Sequence, residues 1–310
     1  MALTKVKSRM IADMMVNALD YLSDTQITDV VAKTGSVDVS AGIQAAIDAA
    51  EARKVPIYFP AGTYYMTSGI KIERNEVHVI GEGSESTILE FNLSGGVAMD
   101  VGYHNTGGGT FWGWTIRDIQ IFSNASSTET DLLKVNYPLN GKMERVKVDQ
   151  ANAVGLRLGR PQNFVMHSSE VRNSDGRGVI VENDFVSAQG PQLFVMDSCT
   201  IKNNGDDPAG TAYQLALING AEHVITNSII EGSGLSNIYV GPSNSLITPI
   251  VAFLDHAPTY LSDPKEVAQV LEVSLSDLQN KVNHSVKEVK TGLGVVKMPA
   301  FLIDEHNIWG

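Results

Sequence analysis

A chain of 310 residues can bury a substantial core as one large domain or two ordinary ones, and its 28 glycines, spread among many Asn, Ser and Asp, point to frequent turns between short strands. A formal charge of −12, from 23 Lys plus Arg against 35 Asp plus Glu, repels phosphate backbones and anionic lipid; no basic stripe offsets it, so no nucleic-acid partner is expected. No run of about 18 apolar residues occurs, so no membrane insertion is expected, and the single cysteine, Cys199, excludes an intramolecular disulfide and reads as a buried filler.

In chain order, MALTKVKSRMIADMMVNALDYL carries Lys5, Lys7 and Arg9, but Asp13 and Asn17 interrupt what would be the apolar core of a signal sequence. A short amphipathic arm is expected there, with no signal peptide. SAGIQAAIDAAEARKV then places Ile43, Ala46, Ile47 and Ala50 at helical spacing, with Ser40 available as a cap. One amphipathic helix is predicted. The following stretch gives short β-rich runs, IYF, IKI, VHVIG and TILEF, punctuated by Pro-Ala-Gly, Ser-Gly and Gly-Glu-Gly. Almost no further helix is expected before Pro264.

Between Thr115 and Val240 an apolar residue is repeatedly followed, five places later, by another that leads into a polar turn. The pairs are Ile116 with Ile121, Met143 with Val148, Met166 with Val171, Met196 with Ile201, and Ile225 with Ile230. Successive second anchors lie 27, 23, 30 and 29 residues apart. Such a period suggests a solenoid. A further strand follows each later turn: LRL at Leu156–Leu158, VIV at Val179–Val181, LAL at Leu215–Leu217 and IYV at Ile238–Val240. Units of short strands without a helix satisfy their backbone only by stacking on one another, as coils of a parallel β-helix.

The ordered runs IQAAIDAA, IYFPAGTY, VHVIGEG and STIL resemble the start of the pectate-lyase-like, right-handed, single-stranded parallel β-helix of bacteriophage tailspikes. TKVKSRMIADMMVN and the residues after it are similar to the leading segment of tailspikes from short-tailed phages. The resemblance covers roughly Met1 to Val240; the glycine-rich acidic motif of the wider family is replaced by GSVDVS at Gly35–Ser40, which leaves subfamily and substrate open. It implies a homotrimer on the virion tail that binds a bacterial surface polysaccharide, capsule or lipopolysaccharide, and usually cleaves it by hydrolysis or β-elimination. A non-catalytic glycan-binding adhesin or virion structural module is the alternative.

The last segment has a different grammar, with the break within Gly241–Thr248. A helix-like EVAQVLEV, two charged connectors and a closing strand resemble the C-terminal half of coenzyme A diphosphatase-type Nudix hydrolases. The metal-binding glutamate run of that family is absent from the sequence, so no catalytic residue is carried over and an inactive fusion fragment is expected. The predicted fold class is therefore all-β, a parallel β-helix with a short N-terminal helix and a small α+β C-terminal segment. Its parts are an arm at residues 1–37, the β-helix at 38–240 and the Nudix-like fragment at 241–310.

Candidate chemistry follows from the repeat. The residue after each first anchor should face outward, and in three successive coils it is Glu144, His167 and Asp197. Coils about 4.8 Å apart would separate the two carboxylates by roughly 9–10 Å, suiting an inverting hydrolase with one as acid and the other as base. Outward positions are usually polar in any case. A second candidate is Asp206 and Asp207 in NNGDDPAG, with Asp175 of NSDGRG one coil below; the competing reading is ordinary Asx-Gly turns. Arg172 and Arg177 are candidates to hold a sugar carboxylate. Trp112 and Trp114, two apart, would share a strand face as a platform for sugar rings, or as core packing. His78, His104, His223, His256, His284 and His306 show no ligand spacing, so neither a metal nor a cofactor is expected.

Overall fold

Anchors that are 23 to 30 residues apart in the chain are hydrogen-bonded neighbours in space. In the computed structural model, Ile116, Met143, Met166, Met196 and Ile225 stand opposite one another on consecutive parallel strands. The second anchors, Ile121, Val148, Val171, Ile201 and Ile230, do the same. A third column runs through Leu133, Leu156, Val179, Leu215 and Ile238. The fold is a parallel β-helix with three strand faces per coil. The structure describes residues 15–74, 77–102, 111–183, 190–205, 213–218, 223–232, 236–240, 280–291, 294–303 and 306–308.

One left-handed residue makes each bend between the first and second faces. Asp118, Arg145, Ser168, Ser198 and Asn227 all have φ between 47° and 57°. Asn and Asp tolerate this region because their short polar side chains bond locally. Arg145, Ser168 and Ser198 depart from that type, and Asp118 holds Arg145 with bonds of 2.6 and 3.0 Å. The next bend repeats the device with Gln150, Asn173, Asn203 and Gly232. A bend of fixed geometry keeps the inward residue of every coil above the inward residue below, so the core is continuous from Val16 to Leu217. Cys199 lies in it, and burial pushes its thiol up to about 11.

The column begins earlier than the repeat in the sequence shows. Val16–Asn17 pairs with Ile57–Tyr58, and Ile57 leads through Val79 to Ile116. Residues in the segment read as an arm thus contribute a strand to the sheet; residues 1–14 lie outside the described ones. The predicted helix spans Ser40–Arg53, buries Ile43, Ala46, Ile47 and Ala50, and packs across Val16–Asn17, Ile57–Tyr58 and Ile70–Ile72. It covers the open end of the stack, where unpaired apolar and backbone groups would otherwise face water. Ser40 is not its cap. It is the first helical residue, its N–H donates to Asp38 Oδ1 at 3.0 Å, and its Oγ accepts from Thr67 and Ser68. A second helix, Asp24–Ala32, was not anticipated, although Ser23 and Gln26 form a capping box whose spacing is legible in SDTQ.

The chain divides into two units, Met1–Leu246 and Ile247–Gly310. The second contains an antiparallel sheet of His284–Thr291, Gly294–Ile303 and His306–Ile308, more strand than the single closing strand expected. EVAQVLEV lies outside the described residues.

Within the β-helix an aromatic ladder runs Trp114, Phe164, Phe194, His223, with ring centroids 6.4, 6.4 and 6.3 Å apart. Gly141 occupies the coil between Trp114 and Phe164, where a Cβ would lie 2.8 Å from Phe164 Cδ2. The glycine is what lets the two rings meet. Gly141→Ala should therefore destabilise the unit by about 1–3 kcal/mol, read as a lowered urea midpoint, because overpacking forces side chains off their rotamers. An unchanged midpoint would show that the gap tolerates a methyl group.

Candidate functional site

The first-face register lines up Arg117, Glu144, His167, Asp197 and Thr226 on successive coils, one place after the buried anchors and so on the outer surface. His167 Nδ1 lies 3.0 Å from Asp197 Oδ2. The other oxygen of Asp197 accepts from Thr226 Oγ1 at 2.9 Å and Asn227 Nδ2 at 3.0 Å. Bonds from Asn227 and Thr226, then His167, hold the Asp197 carboxyl below the usual range. Glu144 is held at about 2 by Lys142 at 2.8 Å and by Arg145.

These neighbours bear on the roles that the two carboxylates could take. A general acid must hold its proton near neutral pH, which takes an environment that raises the carboxyl's pKa. Glu144 and Asp197 have the opposite environment, and both stand as carboxylates. What the column assembles instead is a histidine steered by a carboxylate, flanked by Arg117, Lys142 and Arg145, whose side chains are 43%, 44% and 46% exposed. The Asp197 contact at Nδ1 directs Nε2 of His167 to any ligand on this face.

The second face carries a denser charge network. Asp149, 4% exposed, accepts from Arg172 NH2 and Asn173 Nδ2, both at 2.9 Å, while Lys147 Nζ lies 3.7 Å away and binds Glu85 at 2.9 Å. Glu170 joins Arg172 at 3.5 Å and Lys202 at 3.0 Å. Arg172 is thus bonded to two neighbouring carboxylates. Arg177 is elsewhere, its guanidinium carbon 5.8 Å from the Tyr213 ring centroid.

Trp112 and Trp114 do not share a face. Gly113 between them adopts φ 62°, which breaks the strand alternation; Trp112 is 48% exposed while Trp114 is fully buried in the aromatic ladder. Asp175 is exposed in a cleft of about 370 Å³ at the bend after the second face, alongside Asn124, Gln150, Asn152, Asn173 and Asn203. Asp206 and Asp207 lie outside the described residues. Among the described residues, no group of His, Cys, Asp or Glu is arranged to hold a metal.

Residues 26–205 match the family described as rhamnogalacturonase A/epimerase, pectate lyase-like. The chain belongs to this family. Among solved structures it is similar to ORF18 of Geobacillus virus E2, with a TM-score of 0.54 at 16% identity over 76% of this chain and 49% of that one. It is also similar to the Dettilon tailspike protein gp208, with a TM-score of 0.51 at 11% identity over 77% of this chain and 48% of that one. The Agl-KA catalytic domain gives a TM-score of 0.51 at 16% identity over 79% and 47%. The chain spans about half the length of these structures. At such identities the likeness is one of fold. A search of curated proteins finds no match.

For a pectate lyase-like coil the outward position after the second anchor is as readable as the one after the first. That position holds Phe122, Asp149, Arg172, Lys202 and Glu231 in register, and applying the same rule there would have found Asp149 beside Arg172. Glu129 was beyond reach of any repeat. It is fully buried in a loop, where its carboxylate accepts from Ser127 Oγ and, at 2.7 Å, from the Asn152 N–H.

The Glu144 cluster makes a pH prediction with a definite sign. Its folded pKa lies below the ordinary 4.5, so its stabilisation is present above about pH 4.5 and is lost as pH falls toward about 2. Glu144→Gln should flatten the acid limb of the unfolding midpoint measured from pH 5 to 2. An acid limb identical to the parent's would show that the cluster contributes nothing to folding.

Proposed function

We propose that this β-helix binds a bacterial surface polysaccharide along the face of Glu144, His167 and Asp197, as part of a phage tailspike, and cleaves it by β-elimination. The observation that carries the reading is the His167–Asp197 pair at 3.0 Å beside exposed Arg117, Lys142 and Arg145. Elimination from a uronic acid residue needs a base to take the proton α to the sugar carboxylate, cations to stabilise the carboxylate as charge moves onto it, and departure of the glycosidic oxygen from the β carbon. His167 supplies the base at Nε2, Asp197 fixes its orientation, and Glu144 holds Lys142 and Arg145 in place. Hydrolysis is less well supported, because neither carboxylate is kept protonated. A homotrimer on the virion tail belongs to the same proposal and is supported by the likeness in fold to the Dettilon tailspike.

Incubation with purified capsule or lipopolysaccharide should release products with unsaturated, ultraviolet-absorbing ends. His167→Ala and Asp197→Asn should each slow that release about 100-fold or more while retaining the polysaccharide. Reducing ends without unsaturation would replace elimination by hydrolysis. Rates equal to the parent's in both variants would remove the pair from the chemistry, and retention without any product would leave an adhesin or virion structural module. The C-terminal segment is proposed as a Nudix-like fragment without activity, so coenzyme A should remain intact with any divalent ion.

A further inference from the structure

The cleft at the bend after the second face lies apart from the His167–Asp197 column, and its chemistry is different. Of the described residues that line it, all but Ala125 end in an amide, a hydroxyl or a carboxylate, and none is Lys, Arg or aromatic. At about 370 Å³ it falls in the ~300–1,000 Å³ range of small-ligand pockets, yet it lacks the apolar lining those usually have. A polyhydroxyl ligand suits such a lining; an apolar one does not.

The wall behind the cleft decides which way its amides point. Asn173 donates Nδ2 to Asp149 at 2.9 Å, and Asn152 donates Nδ2 to the Glu129 carbonyl at 3.2 Å. Each amide has one N–H committed to the wall, and its Oδ1 is the acceptor it can offer a ligand. Gln150, Asn173 and Asn203 hold left-handed backbone at φ 62°, 54° and 53°, so the bend presents them as a stacked row on neighbouring coils. Asp175 at the rim and buried Glu129 behind place carboxylates beside the amides, while a third carboxylate, Asp149, is offset by Arg172. Such a site favours hydroxyl donors and opposes carboxylates.

We infer that this cleft is a second glycan subsite, taking a neutral sugar residue through acceptor oxygens of Asn152 and Asn173 and excluding uronic acids. The inference rests on the glycan reading above but not on the catalytic role of His167. It assigns the two kinds of sugar to two places: acidic residues to the cationic first face, neutral ones to the amide-lined bend.

The test uses the full chain, fluorescently labelled neutral hexose oligosaccharides, uronic acid oligosaccharides of equal length, and the purified surface polysaccharide. Ala125→Trp fills the cleft from an exposed loop position without replacing any of its amides, and His167→Ala serves as the control on the other face. The expected result is that Ala125→Trp weakens neutral-oligosaccharide binding at least 10-fold with an unchanged melting temperature, that His167→Ala does not, and that Ala125→Trp leaves uronic acid oligosaccharide binding unchanged. Neutral binding unaltered in Ala125→Trp overturns the subsite. So does a parent chain that retains polysaccharide but binds no neutral oligosaccharide, and in that case the glycan reading survives. A parent chain that retains no polysaccharide defeats the glycan reading and the subsite with it.

Discussion

Every coil of this protein depends on hydrogen bonds made by another coil. Parallel strands cannot close their backbone on themselves, and a short coil of about 25 residues buries too little to stand alone. Stability and geometry therefore have one source, the vertical register that sets Met143 on Met166 and Met166 on Met196. The left-handed bends enforce it. With Ser168 and Ser198 turning the chain at equivalent points, an inward residue stays above an inward residue, and an outward one above an outward one. The Ser40–Arg53 helix closes the end at which that mutual support would run out.

The same register turns a structural necessity into a surface with chemistry. Side chains far apart in the chain become neighbours at the spacing of a sheet, which is close enough for a hydrogen bond between His167 and Asp197 and for the chain of charges from Asp118 through Arg145 and Glu144 to Lys142. Whether a carboxylate in such a column can act as acid or only as anion depends on its lateral partners. Lys142 sits two residues before Glu144 on the same strand, so its side chain projects from the same face. That adjacency makes Glu144 an organiser of cations.

Bends and faces divide the labour. The faces present alternating side chains at fixed spacing and carry charges; the bend after the second face collects Gln150, Asn173, Asn203 and Gly232, and Asn and Gly adopt left-handed backbone at little cost. An amide-lined cleft is thus a by-product of turning the chain, and the buried carboxylates of Glu129 and Asp149 give it polarity and direction.

What the sequence alone determined is the periodic part. Apolar anchors recurring every 23 to 30 residues sufficed to place five coils in register and to put Glu144, His167 and Asp197 in one outward column, since period-two alternation and parallel stacking leave little choice, and the burial of Cys199 follows from residue type. The earliest coil escaped because Val16 and Ile57 are separated by two helices, and no repeat spans that distance. The tertiary structure alone decided the rest. Trp112 and Trp114 part company because Gly113 turns between them, Arg172 is drawn to a buried Asp149, and Glu129 reaches its partners from a loop with no period. Protonation belongs to the same class, for a carboxyl's state is set by whichever groups the fold brings within a few ångströms, and one-dimensional spacing does not encode that distance.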